Sequence, residues 1–150
     1  MNYDRYYTCD LVNGPGIRVT LFVTGCQHAC AGCYNQSTWD RKSGQPFTAE
    51  IMEELLAVCA THDGLSLSGG DPLHPANRAE ILNLCRVFKQ RYPEKNIWLW
   101  TGYLYEDVQN LEIMNYIDVV IDGKYEQDQP TTQPWRGSAN QRQIIISPQR

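Results

Sequence analysis

The 150-residue sequence has no run of lysines or arginines, no long apolar stretch, and no fourth cysteine near the three at Cys26, Cys30 and Cys33. Each absence excludes something. Nucleic-acid phosphates are bound by clustered cations. With 13 basic against 17 acidic residues and a net charge of −4, nucleic acid is not expected as the main partner. The polar start, MNYDRYYTCD, lacks the apolar segment of a secretory signal. No apolar run approaches the length of a membrane span, so a cytoplasmic protein is expected. No internal repeat or low-complexity tract divides the chain before its tail. Its length suits one domain over residues 1–150 with a core of its own.

What is present is an alternation of strand and helix patterns. Ile17, Val19, Leu21 and Val23 fall on one face of a strand period. GLSLSGG (64–70), NIWLWTG (96–102) and the nearly continuous apolar YIDVVIDG (116–123) predict further strands, with RQIIIS (142–147) as a final candidate. Between them, Thr48 can cap a helix carrying Ile51, Leu55 and Cys59. Asn77 and Glu80 form a capping-box-like pair ahead of Ile81, Leu84, Cys85 and Phe88, with Pro93 beyond the end. Leu104, Val108 and Leu111 predict a third helix. This order predicts an α/β fold of mostly parallel strands with crossover helices. The units are too few for a closed eight-stranded barrel, which leaves a partial barrel or an open sheet.

Parallel α/β folds bind ligands beyond the carboxyl ends of their strands. The unusual segments fall there: GCQHACAGCYN after the first long strand, then SGGDP, WTGY and DGKYE. Four loops should converge on one rim, with the cysteine loop near the paired glycines.

In a reducing compartment a cysteine cluster is more often metal-binding or catalytic than disulfide-bonded. Cys59 and Cys85 lie in apolar helical patterns and are expected to be small buried hydrophobes, while Cys9 stands alone. The C-x3-C-x2-C spacing of Cys26, Cys30 and Cys33 suits an iron–sulfur cubane with one iron left open to a small molecule, since four thiolates are the usual number. Zinc is the alternative, with His28 or a distant residue as fourth ligand, although structural zinc usually shows a second ligand pair and His62 and His74 are isolated. A catalytic thiol with two bystanders is the third reading. In SLSGGDP, Gly69 and Gly70 would let backbone approach a ligand, and Asp71 would set a carboxylate near an ammonium or cap a turn.

The cysteine motif, with Tyr34 after the third cysteine, resembles that of radical S-adenosylmethionine (SAM) enzymes. NGPGIR (13–18) resembles the segment preceding it in glycyl-radical-enzyme activases. With SLSGGDPLHP, WLWTGY, DVVIDGKYE and WRGSANQ, nearly the whole chain resembles the small activases that serve anaerobic ribonucleoside-triphosphate reductases. The resemblance implies a small partial (β/α) barrel of the radical SAM type. It implies one [4Fe-4S] cluster on Cys26, Cys30 and Cys33, with SAM chelating the open iron. Gly32, Cys33 and Tyr34 would touch the adenosyl portion, and Gly69, Gly70 and Asp71 the methionyl ammonium. The superfamily often has Glu at the position of Asp71, so contact through the glycine backbone is expected ahead of the shorter carboxylate. The chemistry would be driven by the cofactors, with no separate catalytic side chain. The implied partners are the large subunit of an anaerobic ribonucleoside-triphosphate reductase, as protein substrate, and a low-potential electron donor such as flavodoxin. Another glycyl-radical enzyme, a small-molecule substrate, and a non-catalytic zinc-binding interaction module are the competing readings. Trp98 and Trp100 are expected in the core or the barrel wall rather than as catalytic groups. Thr101, Tyr103, Asp122, Lys124, Arg136, Asn140 and Arg142 carry no assigned role.

Overall fold

A computed structural model describes residues 1–25, 40 and 43–146. Among these the chain forms β1 (Asn2–Asp10), β2 (Arg18–Val23), β3 (Gln45–Pro46), α1 (Ala49–Cys59), β4 (Gly64–Gly69), α2 (Arg78–Arg91), β5 (Asn96–Trp100), α3 (Tyr105–Val108), a 3-10 turn (Glu112–Asn115), β6 (Val119–Asp122) and β7 (Arg142–Ile145). The strands make one sheet in the order β3-β1-β2-β4-β5-β6-β7. β2, β4, β5 and β6 run parallel. β1 is antiparallel to both β2 and β3, and β7 to β6. The fold is therefore α/β with a mixed sheet. The expected parallel arrangement holds for the central four strands, and antiparallel strands flank them.

Side-chain alternation sorts the sheet into two faces. Val19, Leu21, Val23, Leu65, Leu67, Ile97, Leu99 and Val120 pack with Leu55, Leu56 and Cys59 of α1 and Ile81, Leu84, Cys85 and Phe88 of α2. Cys59 and Cys85 are fully buried there, as expected, while Cys9 is exposed. The opposite face carries a smaller cluster of Trp98, Val119 and Ile121, with Trp100 and Trp135 against it. Trp135 meets Trp98 edge-on at 4.9 Å, and its carbonyl accepts the Trp100 indole N–H at 2.7 Å. β2 is buried along its whole length because it lies mid-sheet with both faces covered.

The helices are fixed at their ends. Thr48 caps α1 by accepting from the Ile51 N–H at 3.2 Å. At its other end the Lys95 ammonium donates to the carbonyls of Cys59, Ala60 and His62, each at 2.8 Å. α2 is tied to the sheet by Lys89, which donates to the Asp118 carboxylate at 2.7 Å. The third helix is shorter than the apolar spacing predicts. It stops at Val108, and Leu111 starts a separate 3-10 turn rather than a further α-turn.

At the amino ends of the parallel strands, the Arg18 guanidinium is fully buried. It donates to Ser66 Oγ at 2.7 Å, to the Leu65 carbonyl at 2.9 Å and to the Pro15 carbonyl at 3.1 Å. Burial lowers its pKa to about 10, so the group stays charged at neutral pH. Gly14 and Gly64 leave it room: a Cβ at either would lie within 3 Å of the Arg18 side chain. The NGPGIR segment is thus built into the floor of the sheet, five residues along β2 from its carboxyl end, or about 17 Å.

Candidate functional site

Cys26, Cys30, Cys33, Gly32, Tyr34 and His28 lie outside the described residues, as does the rest of 26–39. The described part of the site is the rim on which that stretch begins. β2 ends at Val23 and is in register with Gly69 at the end of β4. Gly69 has φ +101°, and a Cβ there would collide with the Val23 backbone. Glycine is required at this position for close strand approach as well as for its left-handed conformation. The next two backbone N–H groups reach across: Gly70 donates to the Val23 carbonyl at 2.8 Å and Asp71 to the Gly25 carbonyl at 2.7 Å. The glycine turn is therefore hydrogen-bonded to the residue that precedes Cys26, while the cysteine loop expected beside it lies outside the described residues.

Gly69 and Gly70 are half-buried, whereas Asp71 is fully buried. Its carboxylate accepts from the Leu73 N–H at 2.9 Å, the Thr101 hydroxyl at 2.9 and 3.0 Å, and the Gly102 N–H at 2.9 Å. Its geometry is that of a brace between the β4 and β5 ends, not of an acceptor presented to solvent. The half-buried part of this turn is Gly69 and Gly70.

The other rim residues are also engaged. Asp122, at the end of β6, is 1% exposed and accepts from the Tyr105 N–H at 2.7 Å and from Arg142 Nε at 3.0 Å. Arg142 also reaches Glu106 at 2.8 Å, and these two carboxylates push its pKa upward. The Lys124 carbonyl accepts from the Asn140 carboxamide at 2.8 Å. Arg78 lies over the Tyr103 ring at 5.7 Å and donates to the Leu73 carbonyl at 2.8 Å. Sequence reasoning missed Asn77 as a rim residue. Its carboxamide nitrogen donates to the Thr24 carbonyl at 2.9 Å and to the Asp71 carbonyl at 3.1 Å. It occupies the N-cap position of α2 but makes no side-chain cap bond. The capping-box expectation is corrected accordingly: Glu80 pairs with the Met1 ammonium instead.

Among the described residues no group of three or more His, Cys, Asp or Glu side chains is placed to hold a metal. The donors that fit an iron–sulfur cluster are the three thiolates of the cysteine stretch, whose number and softness suit iron. Thr24 and Gly25, the described residues that precede them, are hydrogen-bonded to Asn77 and Asp71. No helix among the described residues is long and apolar enough to cross a membrane.

The chain matches the model of the family described as a 4Fe-4S single cluster domain over residues 12–144. It is 59% identical over 144 residues to the anaerobic ribonucleoside-triphosphate reductase-activating protein of Enterobacteria phage T4, covering 95% of this chain and 92% of that one. The proteins of the same name from Vibrio cholerae and Escherichia coli K12 are 50% and 48% identical over 148 residues, each covering 94% of this chain and 96% of its own. Matched at this level along nearly its whole length, the chain belongs to the family of anaerobic ribonucleoside-triphosphate reductase-activating proteins.

Proposed function

We propose that this chain activates an anaerobic ribonucleoside-triphosphate reductase by generating a glycyl radical on its large subunit. The observation that carries the reading is the fixed rim, where the residue before Cys26 is hydrogen-bonded to the glycine turn at the end of the next strand. The three thiolates of Cys26, Cys30 and Cys33 would hold one [4Fe-4S] cluster with an iron left for SAM. When bound and given one electron by the donor, the cluster and SAM would supply a 5'-deoxyadenosyl radical able to take hydrogen from a glycine, with methionine left behind. The protein's work is orientation and exclusion of competing reactions. Gly69 and Gly70 would meet the methionyl ammonium through backbone, with Asp71 holding their turn in place. Gly32, Cys33 and Tyr34 would line the adenosyl portion. No separate side chain is assigned to proton or hydrogen transfer.

The central parallel strands with helices on one face support a single domain with a partial barrel of the radical SAM type. Its rim would face the reductase, and a flavodoxin-like carrier would supply the electron. The acidic balance and the lack of a basic run support a protein partner over nucleic acid.

The test is anaerobic. Iron and sulfide are measured on the purified chain, SAM and dithionite are added, and 5'-deoxyadenosine is followed by chromatography. The reading expects iron, sulfide and product, then a glycyl-radical signal when the reductase is added. Zinc in place of iron, with no product after reconstitution, refutes it. Product without a glycyl signal on the reductase refutes the assignment of the partner.

A further inference from the structure

Asn77 has a side chain that does not do what its position predicts. A residue at an N-cap normally turns its oxygen to the first free N–H groups of the helix. Asn77 begins α2 yet makes no such bond. It is 1% exposed, and its carboxamide nitrogen donates at 2.9 Å to the Thr24 carbonyl and at 3.1 Å to the Asp71 carbonyl. Those carbonyls belong to different segments. Thr24 lies two residues before Cys26, and Asp71 directly follows the paired glycines.

We infer that Asn77 is a positioning residue for SAM: it locks the root of the cysteine stretch to the glycine turn, and so fixes the span between the two halves of the binding site. The inference rests on the cluster and SAM reading above. The chemistry is specific to a primary carboxamide. One nitrogen carries two hydrogens, so it can serve two carbonyls at once. Serine has one hydrogen to give, and an ionised aspartate has none. A hydrophobe of similar volume leaves both carbonyls buried without this donor. The Asp71 brace to Thr101 and Gly102 secures the turn from the β5 side, and Asn77 secures it from the β2 side. Any ligand that touches cluster and turn together depends on both, whereas the cluster alone depends chiefly on its thiolates.

The test compares Asn77→Leu and Asn77→Ser with wild type and with Lys95→Met. The last loosens α1 at the opposite end of the sheet and serves as a control for general destabilisation. Iron per chain, thermal midpoint and equilibrium SAM affinity are measured on the reconstituted proteins without reductant, so that no turnover occurs. Asn77→Leu is expected to keep its iron and to weaken SAM binding about tenfold, with Asn77→Ser weakened about threefold. Lys95→Met is expected to lower the midpoint and leave SAM affinity unchanged. SAM affinity within twofold of wild type in Asn77→Leu overturns the inference. So does an equal loss of affinity in Lys95→Met, which would make the effect one of stability alone. Should Asn77→Leu fail to fold, Asn77→Ser carries the test, and an unchanged affinity overturns the inference there too. Wild-type protein without iron or sulfide overturns the parent reading instead, a result readable before any variant is made.

Discussion

Asp71→Ala removes the acceptor on which three donors converge, and its cost can be worked from the geometry. The Leu73 N–H, the Thr101 hydroxyl and the Gly102 N–H all end on this carboxylate at 2.9–3.0 Å. Asp71 and Leu73 are fully buried and Thr101 is 5% exposed, so little solvent is available to replace it. A hydrogen bond to a charged group contributes about 1.5–3 kcal/mol, and an orphaned buried donor costs about 1–3 kcal/mol. Water entering the polar space left by the carboxylate recovers part of this. Taking the low end for each of the three donors gives a loss of about 4 kcal/mol, similar to breaking other buried charged networks. Thr101→Val removes one hydroxyl and should cost about 1.5 kcal/mol. Because both changes remove the same bond, the double variant should lose about 1 kcal/mol less than the sum of the singles. Urea unfolding under anaerobic conditions, followed by tryptophan fluorescence, measures all three. The same Asp71→Ala protein should retain its iron but bind SAM more weakly. A loss below 1 kcal/mol for Asp71→Ala, or singles that add within error, would show that the brace does not exist in solution. Unchanged SAM affinity would remove Asp71 from the site.

Other expectations test separate parts of the chain. Lys95→Met leaves three carbonyls at the end of α1 without their cation and should cost roughly 2 kcal/mol in urea unfolding; a loss under 0.5 kcal/mol would show that water caps this helix equally well. Burial pushes the Cys59 thiol up to about 12, against the pull of Lys95 and Arg18, leaving about one thiolate in ten thousand at pH 8. With Cys26, Cys30 and Cys33 protected by the proposed cluster, an alkylating reagent should therefore modify Cys9 alone, and rapid uptake at Cys59 or Cys85 contradicts their placement. Burial opposes the charge of Asp10, but hydrogen bonds from Thr20, Asn13 and the Val12 N–H outweigh it and hold its pKa below the ordinary 3.8. A depressed folded pKa means that the stabilisation is whole above the unfolded value and is lost as pH falls through the folded one. Asp10→Asn should therefore be less stable than wild type by about 1–2 kcal/mol at pH 7, with the gap narrower when unfolding is measured at a pH below the ordinary 3.8. A gap independent of pH in urea unfolding at the two values would refute the sign.

Periodicity revealed β2, β4, β5, β6 and the two long helices because each has an apolar stripe that must be buried. It did not reveal β1. NYDRYYTCD has no alternating apolar face; its strand is made by pairing with β2, where Phe22 meets Tyr7 at 5.1 Å and the Arg5 guanidinium at 4.2 Å. Aromatic richness was the available signal there. The convergence of loops at the carboxyl ends was legible from topology, and the described rim has that arrangement. The Asp71 brace was not, because a carboxylate after two glycines reads the same whether it faces a ligand or supports a turn. Asn77 and Glu80 show the same limit: a local pattern that fits a capping box serves two contacts far away in sequence.

The two ends of the sheet divide the labour, and this bears on which residues a motif can assign. NGPGIR is among the segments on which the resemblance to activases rests, yet Arg18 lies at the floor, about 17 Å along the strand from the rim. Its guanidinium bonds to Pro15, Leu65 and Ser66, joining the turn before β2 to β4. Gly14 and Gly64 accommodate that side chain, so a Cβ at either position would crowd it. A buried cation is costly to desolvate, and here its bonds to Leu65 and Ser66 tie β2 to β4 in one register. Register is what the rim requires. A slip between β2 and β4 would separate Val23 from Gly69 and break the bonds from Gly70 and Asp71 that place the root of the cysteine stretch. The floor segment thus acts on the rim through the strand it anchors, about 17 Å away.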